Sequence, residues 1–217
     1  MTTDRLITLL PLISINCFLV MGIVRSVMLA QRGIRSRVRD PERPRATKVL
    51  ELGTRVVFWS WIVLIVVFTW PRMSTWMPHW MTFQLIDSPI ARWIGAALVV
   101  IPVLVYPITL AEMGNSWRIG IDRKAHDPAA DNSSRRPPST LITHGLFRFA
   151  RNPIYVIVDM VFLGTFLIHG RAVFLTCFIL FAFLIHLQIL REERFLAERY
   201  GEQFEEYRGR VRRYGIL

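Results

Sequence analysis

The chain has 217 residues, 53% of them hydrophobic, and a formal charge of +11 from 27 Lys and Arg against 16 Asp and Glu. Length and composition allow one large soluble domain or one small membrane domain, but the apolar residues are segregated into long blocks without a polar face, which excludes the soluble alternative. The charge excludes a nucleic-acid binder by its distribution: seven cations fall in residues 31–48, seven in 113–152 and seven after Leu190, so 21 of the 27 occupy three alternate segments.

Five apolar blocks, at 6–30, 56–70 (extendable to 80), 90–111, 154–168 and 172–190, predict an all-α integral membrane protein with about five transmembrane helices. The second and fourth are short for a full span, so their ends are expected in the headgroup zone or in protein. By the positive-inside rule the three basic segments are cytoplasmic, with anionic lipid headgroups as their partner. The N-terminus is then outside and the C-terminus inside, which requires an odd number of spans. The first block is too long for the apolar core of a signal peptide and ends at no small-x-small cleavage site, so a retained span is expected. It contains Pro11 and Asn16, tolerable where neighbours satisfy the backbone.

The second helix is expected to begin near Val49, with Glu51 and Arg55 at i, i+4 spacing. Trp59, Trp61, Trp70, Trp76 and Trp80 gather toward its outer half, as in an interfacial aromatic belt. Pro102 and Pro107 favour a kink near the inner end of the third segment, and Glu112 marks its boundary. The polar run 122–140, with Pro137-Pro138, reads as a loop. Cys17 and Cys177 lie inside proposed spans and form no CxxC or Cys/His metal pattern, so no disulfide or metal site is expected.

Two polar clusters flank the last two blocks. The first is Thr143 to Tyr155 (THGLFRFARNPIY) and the second Arg191-Glu192-Glu193-Arg194, separated by roughly 35 residues of nearly continuous apolar sequence turning at His169-Gly170-Arg171. A hairpin of about 17 to 20 residues per pass brings both clusters to the same aqueous side. His144-Gly145 is a turn pair before a helix, and backbone N–H groups at such a start can hold a carboxylate. Arg151 supplies a forked cation for the same purpose, and Asn152-Pro153 fixes the entry of the fourth segment. Tyr155 offers a hydroxyl and a ring. Adjacent helical residues point about 100° apart, so Glu192 and Glu193 are not expected to share one job. One can accept from an amino group or ribose while the other pairs with an arginine. After Leu190, the stripe Glu193, Ala197, Tyr200, Phe204, Tyr207, Val211 and Tyr214 predicts an amphipathic tail helix on the membrane or over the mouth of the bundle, with Gly201 a possible break.

His144-Gly145-x-Phe147-Arg148-x-x-Arg151-Asn152-Pro153-x-Tyr155, then Glu192-Glu193-x-x-Leu196 and Tyr200-Gly201-x-x-Phe204-x-x-Tyr207, resembles the isoprenylcysteine carboxyl methyltransferase family and its phospholipid N-methyltransferase relatives. Gly114-x-Ser116-Trp117-Arg118 resembles a stretch that bacterial members carry upstream, and the first half of the chain matches in hydropathy alone. The resemblance divides the chain into a three-span region, 1–112, and a methyltransferase-like region, 113–217, with its hairpin at 153–190. It implies a membrane methyltransferase using S-adenosylmethionine at the cytoplasmic face, without metal. The implied cofactor contacts are His144, Gly145, Leu146, Arg151, Asn152, Pro153, Tyr155, Glu192 and Glu193, with Arg151 and Glu193 holding opposite ends. Tyr155, Glu192 and Glu193 are the candidate catalytic groups, and Trp117, Arg118 and Tyr207 the candidate substrate contacts. Asn152 stands where many relatives have histidine, and the tail lacks the proline often seen after its arginines.

The implied acceptor is hydrophobic or lipidic, presenting a carboxylate, phenol, thiol or amine and entering between the spans. Oligomeric state is not written in the pattern. Two other readings compete: a membrane sterol reductase binding NADPH, and a non-enzymatic scaffold or transporter. Crowded charge at one face, without polar residues through the span centres, disfavours a conduction path. His169 reads as part of the outer turn; His186 reads equally as cofactor cleft or packing.

Overall fold

The computed structural model describes residues 3–32, 44–114 and 141–215. The chain is an all-α integral membrane protein. Four helices are long and apolar enough to span a bilayer: α1 (Thr3–Gln31), α2 (Arg45–Thr69), α5 (Pro89–Met113) and α7 (Ala172–Tyr200). Two four-residue helices, α3 (Pro71–Ser74) and α4 (His79–Thr82), lie between α2 and α5. The hairpin partner of α7 is α6 (Pro153–His169), whose 17 residues reach about 25 Å, short of a full hydrocarbon crossing. The second apolar block, by contrast, belongs to a full-length helix: α2 starts eleven residues earlier, because its first turns are polar and carry Arg45, Lys48 and Glu51.

Contacts along the bundle fix the helix directions. Thr69 at the end of α2 donates to the Thr8 carbonyl near the start of α1, whereas Arg25 in α1 donates to the Gly114 carbonyl just after α5. Gly95 early in α5 meets Gly164 late in α6, so these two helices are antiparallel. Consequently α1, α5 and α7 finish at the end where α2 and α6 begin. The described ends of all three basic segments therefore share one end of the bundle, here termed the mouth.

The hairpin is clamped at its centre and its far end. Phe162 of α6 stacks on Trp61 of α2 at 3.9 Å and on Phe181 of α7 at 4.1 Å, tying three helices through one column of rings. The α5–α6 crossing depends on glycine: a Cβ on Gly95 would lie 2.6 Å from the Gly164 carbonyl oxygen, and one on Gly164 2.7 Å from that of Gly95. At the far end the Gly170 carbonyl accepts from Leu85 N at 2.8 Å and Ile86 N at 3.0 Å, and Ala172 N donates to the Phe83 carbonyl. With both other points pinned, the polar ends of α6 and α7 are held in register at the mouth. The bundle's outer faces carry large apolar side chains such as Val20, Ile23, Val63 and Leu104, which only lipid can solvate favourably.

The tail is a helix broken where the sequence places a glycine. Gly201 ends α7 with a φ of +51°, and α8 (Glu202–Arg210) turns back over the mouth. Phe204 and Tyr207 are buried beneath it. Residues 211–215 continue as an extended strap.

Candidate functional site

A 3-10 turn, Gly145–Arg148, leads into α6. Its Leu146 N–H donates to the Glu112 carboxylate at 2.7 Å. Gly145 has a φ of +62°, and any Cβ there would collide with that carboxylate. The Leu146 N–H, one of those expected to face a ligand carboxylate, is thus engaged by a carboxylate of the protein itself, from the last turn of α5. His144 precedes the turn with an exposed side chain. Pro153 opens α6 at its first position, and Asn152 is the residue before it.

The adjacent glutamates separate, as their angular offset requires. Glu193 faces the tail. Arg151 reaches its Oε1 with Nε at 3.1 Å and a terminal nitrogen at 2.9 Å. Arg213 grips the same carboxylate as a fork, Nε to Oε1 at 3.1 Å and a terminal nitrogen to Oε2 at 2.7 Å. The other terminal nitrogen of Arg151 donates to the Arg208 and Val211 carbonyls, at 3.2 and 2.5 Å. At least four of its five N–H donors are thereby used within the protein. Backbone bonds complete the latch: Arg151 N to Arg212 O at 2.9 Å and Asn152 N to Arg213 O at 3.2 Å. The Glu193 bond holds the Arg213 guanidinium above its ordinary pKa.

Glu192 turns toward α6 instead. Tyr155 donates its hydroxyl to Glu192 Oε1 at 2.8 Å. Gln188 donates to the Tyr155 oxygen at 3.1 Å and to Glu192 at 3.3 Å. No cation among the described residues is hydrogen-bonded to this carboxylate. Nearby polar capacity is unused: Asn152 Nδ2 and one terminal nitrogen of Arg191 are buried without a hydrogen-bond partner among the described residues.

Tyr207 lies under α8 and donates to the Phe147 carbonyl at 2.6 Å, fastening the tail helix to the 3-10 turn. Burial pushes its phenol up to about 12, against the pull of the Arg151 charge. Tyr214, on the strap, has its hydroxyl 2.6 Å from His186 Nδ1. His186 therefore lines the interior beneath the strap, while His169 sits at the far turn, stacked on Phe174 at 4.6 Å. Trp117 and Arg118 lie outside the described residues. Among the described residues no group of three or more His, Cys, Asp and Glu could hold a metal ion.

The mouth therefore unites both sequence clusters and adds three residues that pattern reading left aside. Glu112 was visible only as a boundary charge. Gln188 is signalled by its i, i+4 spacing to Glu192, and Arg213 by nothing local, since its partner is 20 residues away.

A family model described as phospholipid methyltransferase matches residues 90–203, more than half of the chain. The chain belongs to the phospholipid methyltransferase family. The family is part of the isoprenylcysteine carboxyl methyltransferase-like group, in agreement with the resemblance seen in the motifs. No curated protein matches the chain. In this phospholipid methyltransferase homologue the matched region runs from the start of α5 through α7, and so contains Glu112, the 3-10 turn, Tyr155, Gln188 and both glutamates. The chain is accordingly a membrane methyltransferase in general class, and nothing in the match supports the reductase reading.

Proposed function

We propose that the chain is an S-adenosylmethionine-dependent methyltransferase whose cofactor binds at the mouth, against Glu192, Tyr155, Asn152 and the turn His144-Gly145-Leu146, and whose acceptor is a hydrophobic molecule entering from the bilayer. The observation that carries this reading is the division between the two glutamates. Glu193 is neutralised by Arg151 and Arg213, whereas Glu192, among the described residues, is held only by the neutral donors of Tyr155 and Gln188. A carboxylate so fixed suits a ribose hydroxyl or an ammonium group. The buried donors of Asn152 and Arg191, without a partner among the described residues, suit a carboxylate, so the residues present fit both polar ends of the cofactor. Arg151 and Glu193, spent on one another, act on the site by holding its wall.

When bound, S-adenosylmethionine supplies a sulfonium methyl that is already activated. The protein's work is then positioning and exclusion of water. Tyr155 and Gln188 lock the Glu192 carboxylate in one rotamer. Glu112 fixes the turn that carries His144 and Leu146, and Tyr207 with the strap covers the opening. The basic segments favour a mouth on the cytoplasmic side, with the N-terminus outside and the C-terminus inside.

Binding of S-adenosylhomocysteine to the purified protein, by calorimetry in detergent, tests the reading. The wild type should bind it and ignore NADPH. Glu192→Gln should lose about ten- to a hundredfold in affinity, equivalent to about 1.5 to 3 kcal/mol for a hydrogen bond to a charged group, with little change in melting. Unchanged affinity in Glu192→Gln removes Glu192 from the cofactor site, and NADPH binding in place of S-adenosylhomocysteine would sink the methyltransferase reading.

A further inference from the structure

Asp159 is the single acidic residue of the hairpin between Pro153 and Leu190, and neither the motifs nor the latch uses it. It stands at i+4 from Tyr155 on α6, so both side chains occupy one face and Asp159 lies a turn deeper in the bundle. The residue is only partly covered, yet its Oδ1 is wholly buried with no hydrogen-bond partner among the described residues. An ionisable side chain in an apolar membrane helix marks a candidate for action on something that arrives there.

Its surroundings are built. The strap is pinned at Arg212, Arg213 and Glu193, and this carries Tyr214 back over the hairpin. There the Tyr214 hydroxyl meets His186 Nδ1 at 2.6 Å, with ring centroids 6.1 Å apart. Asp159 stands on α6, which packs against the α7 that carries His186. Tyr214 and His186 thus form a second polar contact, next to the Tyr155–Gln188–Glu192 group and on its membrane side, and Asp159 stands one turn deeper than Tyr155 on the facing helix α6. The phenol and imidazole satisfy each other, so the carboxylate is left as the open acceptor.

We propose that Asp159 is the acceptor-side catalytic residue, the group that holds and takes the hydrogen of the incoming nucleophile. The proposal rests on the methyltransferase reading above. It assigns the acceptor a nitrogen, oxygen or sulfur that bears a hydrogen and arrives from the bilayer on an apolar stem. As that atom's electron pair forms the bond to the methyl carbon, the carbon–sulfur pair stays on sulfur and the proton passes to the Asp159 carboxylate. Tyr214 and His186 are positioning residues. Their hydrogen bond seats the strap over Asp159 and keeps bulk water from the carboxylate.

The test uses the full chain in lipid nanodiscs and has a readout independent of turnover. Dicyclohexylcarbodiimide partitions into lipid and modifies protonated carboxyl groups it can reach there; peptide mass spectrometry should find Asp159 modified and the arginine-clamped Glu193 spared. Asp159→Asn should remove that label and keep S-adenosylhomocysteine affinity within twofold of wild type. Methyl incorporation from labelled S-adenosylmethionine is then read with phosphatidylethanolamine, a long-chain alkylphenol and a long-chain alkanethiol as probes. On any probe methylated, Asp159→Asn should lower kcat about a hundredfold or more, the scale of a lost general base, and Asp159→Glu should recover part of it. Absence of label on Asp159 in the folded wild type even at acidic pH, where its carboxyl is protonated, overturns the proposal, because the bilayer then does not reach it. So does Asp159→Asn turning over within threefold of wild type, or losing S-adenosylhomocysteine affinity tenfold, which would place the residue in the cofactor site. Failure of the wild type to bind S-adenosylhomocysteine would instead defeat the methyltransferase reading, and so identifies itself.

Discussion

Replacing Glu193 with alanine isolates the latch that closes the mouth. Its carboxylate accepts four N–H···O bonds from two guanidinium groups. Side-chain exposure is 10% for Glu193 and 9% for Arg151, but 27% for Arg213. The Arg151 pair is therefore a buried one, and removing a single partner strands the other charge, at a cost of about 3 to 5 kcal/mol. Arg213→Ala removes the more exposed fork and should cost about 1 to 2 kcal/mol, because solvent screens part of it. For a domain of this size the Glu193→Ala loss corresponds to roughly 6 to 20 °C in melting temperature. The assay is denaturant and thermal unfolding in detergent of Glu193→Ala, Arg151→Ala and the double variant. The double variant should cost clearly less than the sum of the two single losses, since the Arg151–Glu193 pair is then removed only once. Additive losses, or a Glu193→Ala protein within about 1 kcal/mol of wild type, would show that the three residues are not a clamp.

Two further outcomes follow from backbone and charge. Gly145→Ala should destabilise more than Gly201→Ala, measured by the same unfolding: both glycines have positive φ, worth about 1 kcal/mol against alanine, but only at Gly145 would the new methyl strike the Glu112 carboxylate. Equal losses would mean that Glu112 moves away freely. Reporter fusions after Arg45, after Pro128 and at Leu217 should read cytoplasmic, and those after Trp80 and Gly170 should not; a lumenal or periplasmic signal at Leu217 reverses the proposed orientation.

The bundle was legible because lipid demands continuous apolar runs, and the hairpin because its polar flanks are too far apart in sequence to meet otherwise. Which partner each charged group chooses was not legible. Motif spacing brought Arg151 and Glu193 to one place and suggested a ligand between them; the structure pairs them directly, since Arg213 arrives from beyond the matched region and recruits the same carboxylate. The start of α2 was misjudged for a related reason. Arg45 and Lys48 lower the hydropathy of a first turn that is nonetheless helical, so α2 begins at Arg45 and not near Val49. Asp159 had a clear signal, a lone acid in an apolar stretch, and was hidden only by the stronger motif beside it.

The juxtaposition of Glu192 and Glu193 ties the tail to the proposed site. Both carboxylates sit on the same turn of α7, one facing the Tyr155 group and the other fastening the strap. Opening the strap would free Arg213 and Tyr214 together, withdrawing charge from Glu193 and the phenol from His186. A ligand that prefers the closed arrangement must therefore tighten the tail, and a loosened tail must weaken that ligand by the same free energy. The matched family region stops at Gln203, before any of these strap residues. The matched region thus contains the Glu192 group, while the strap residues that cover the mouth lie after it.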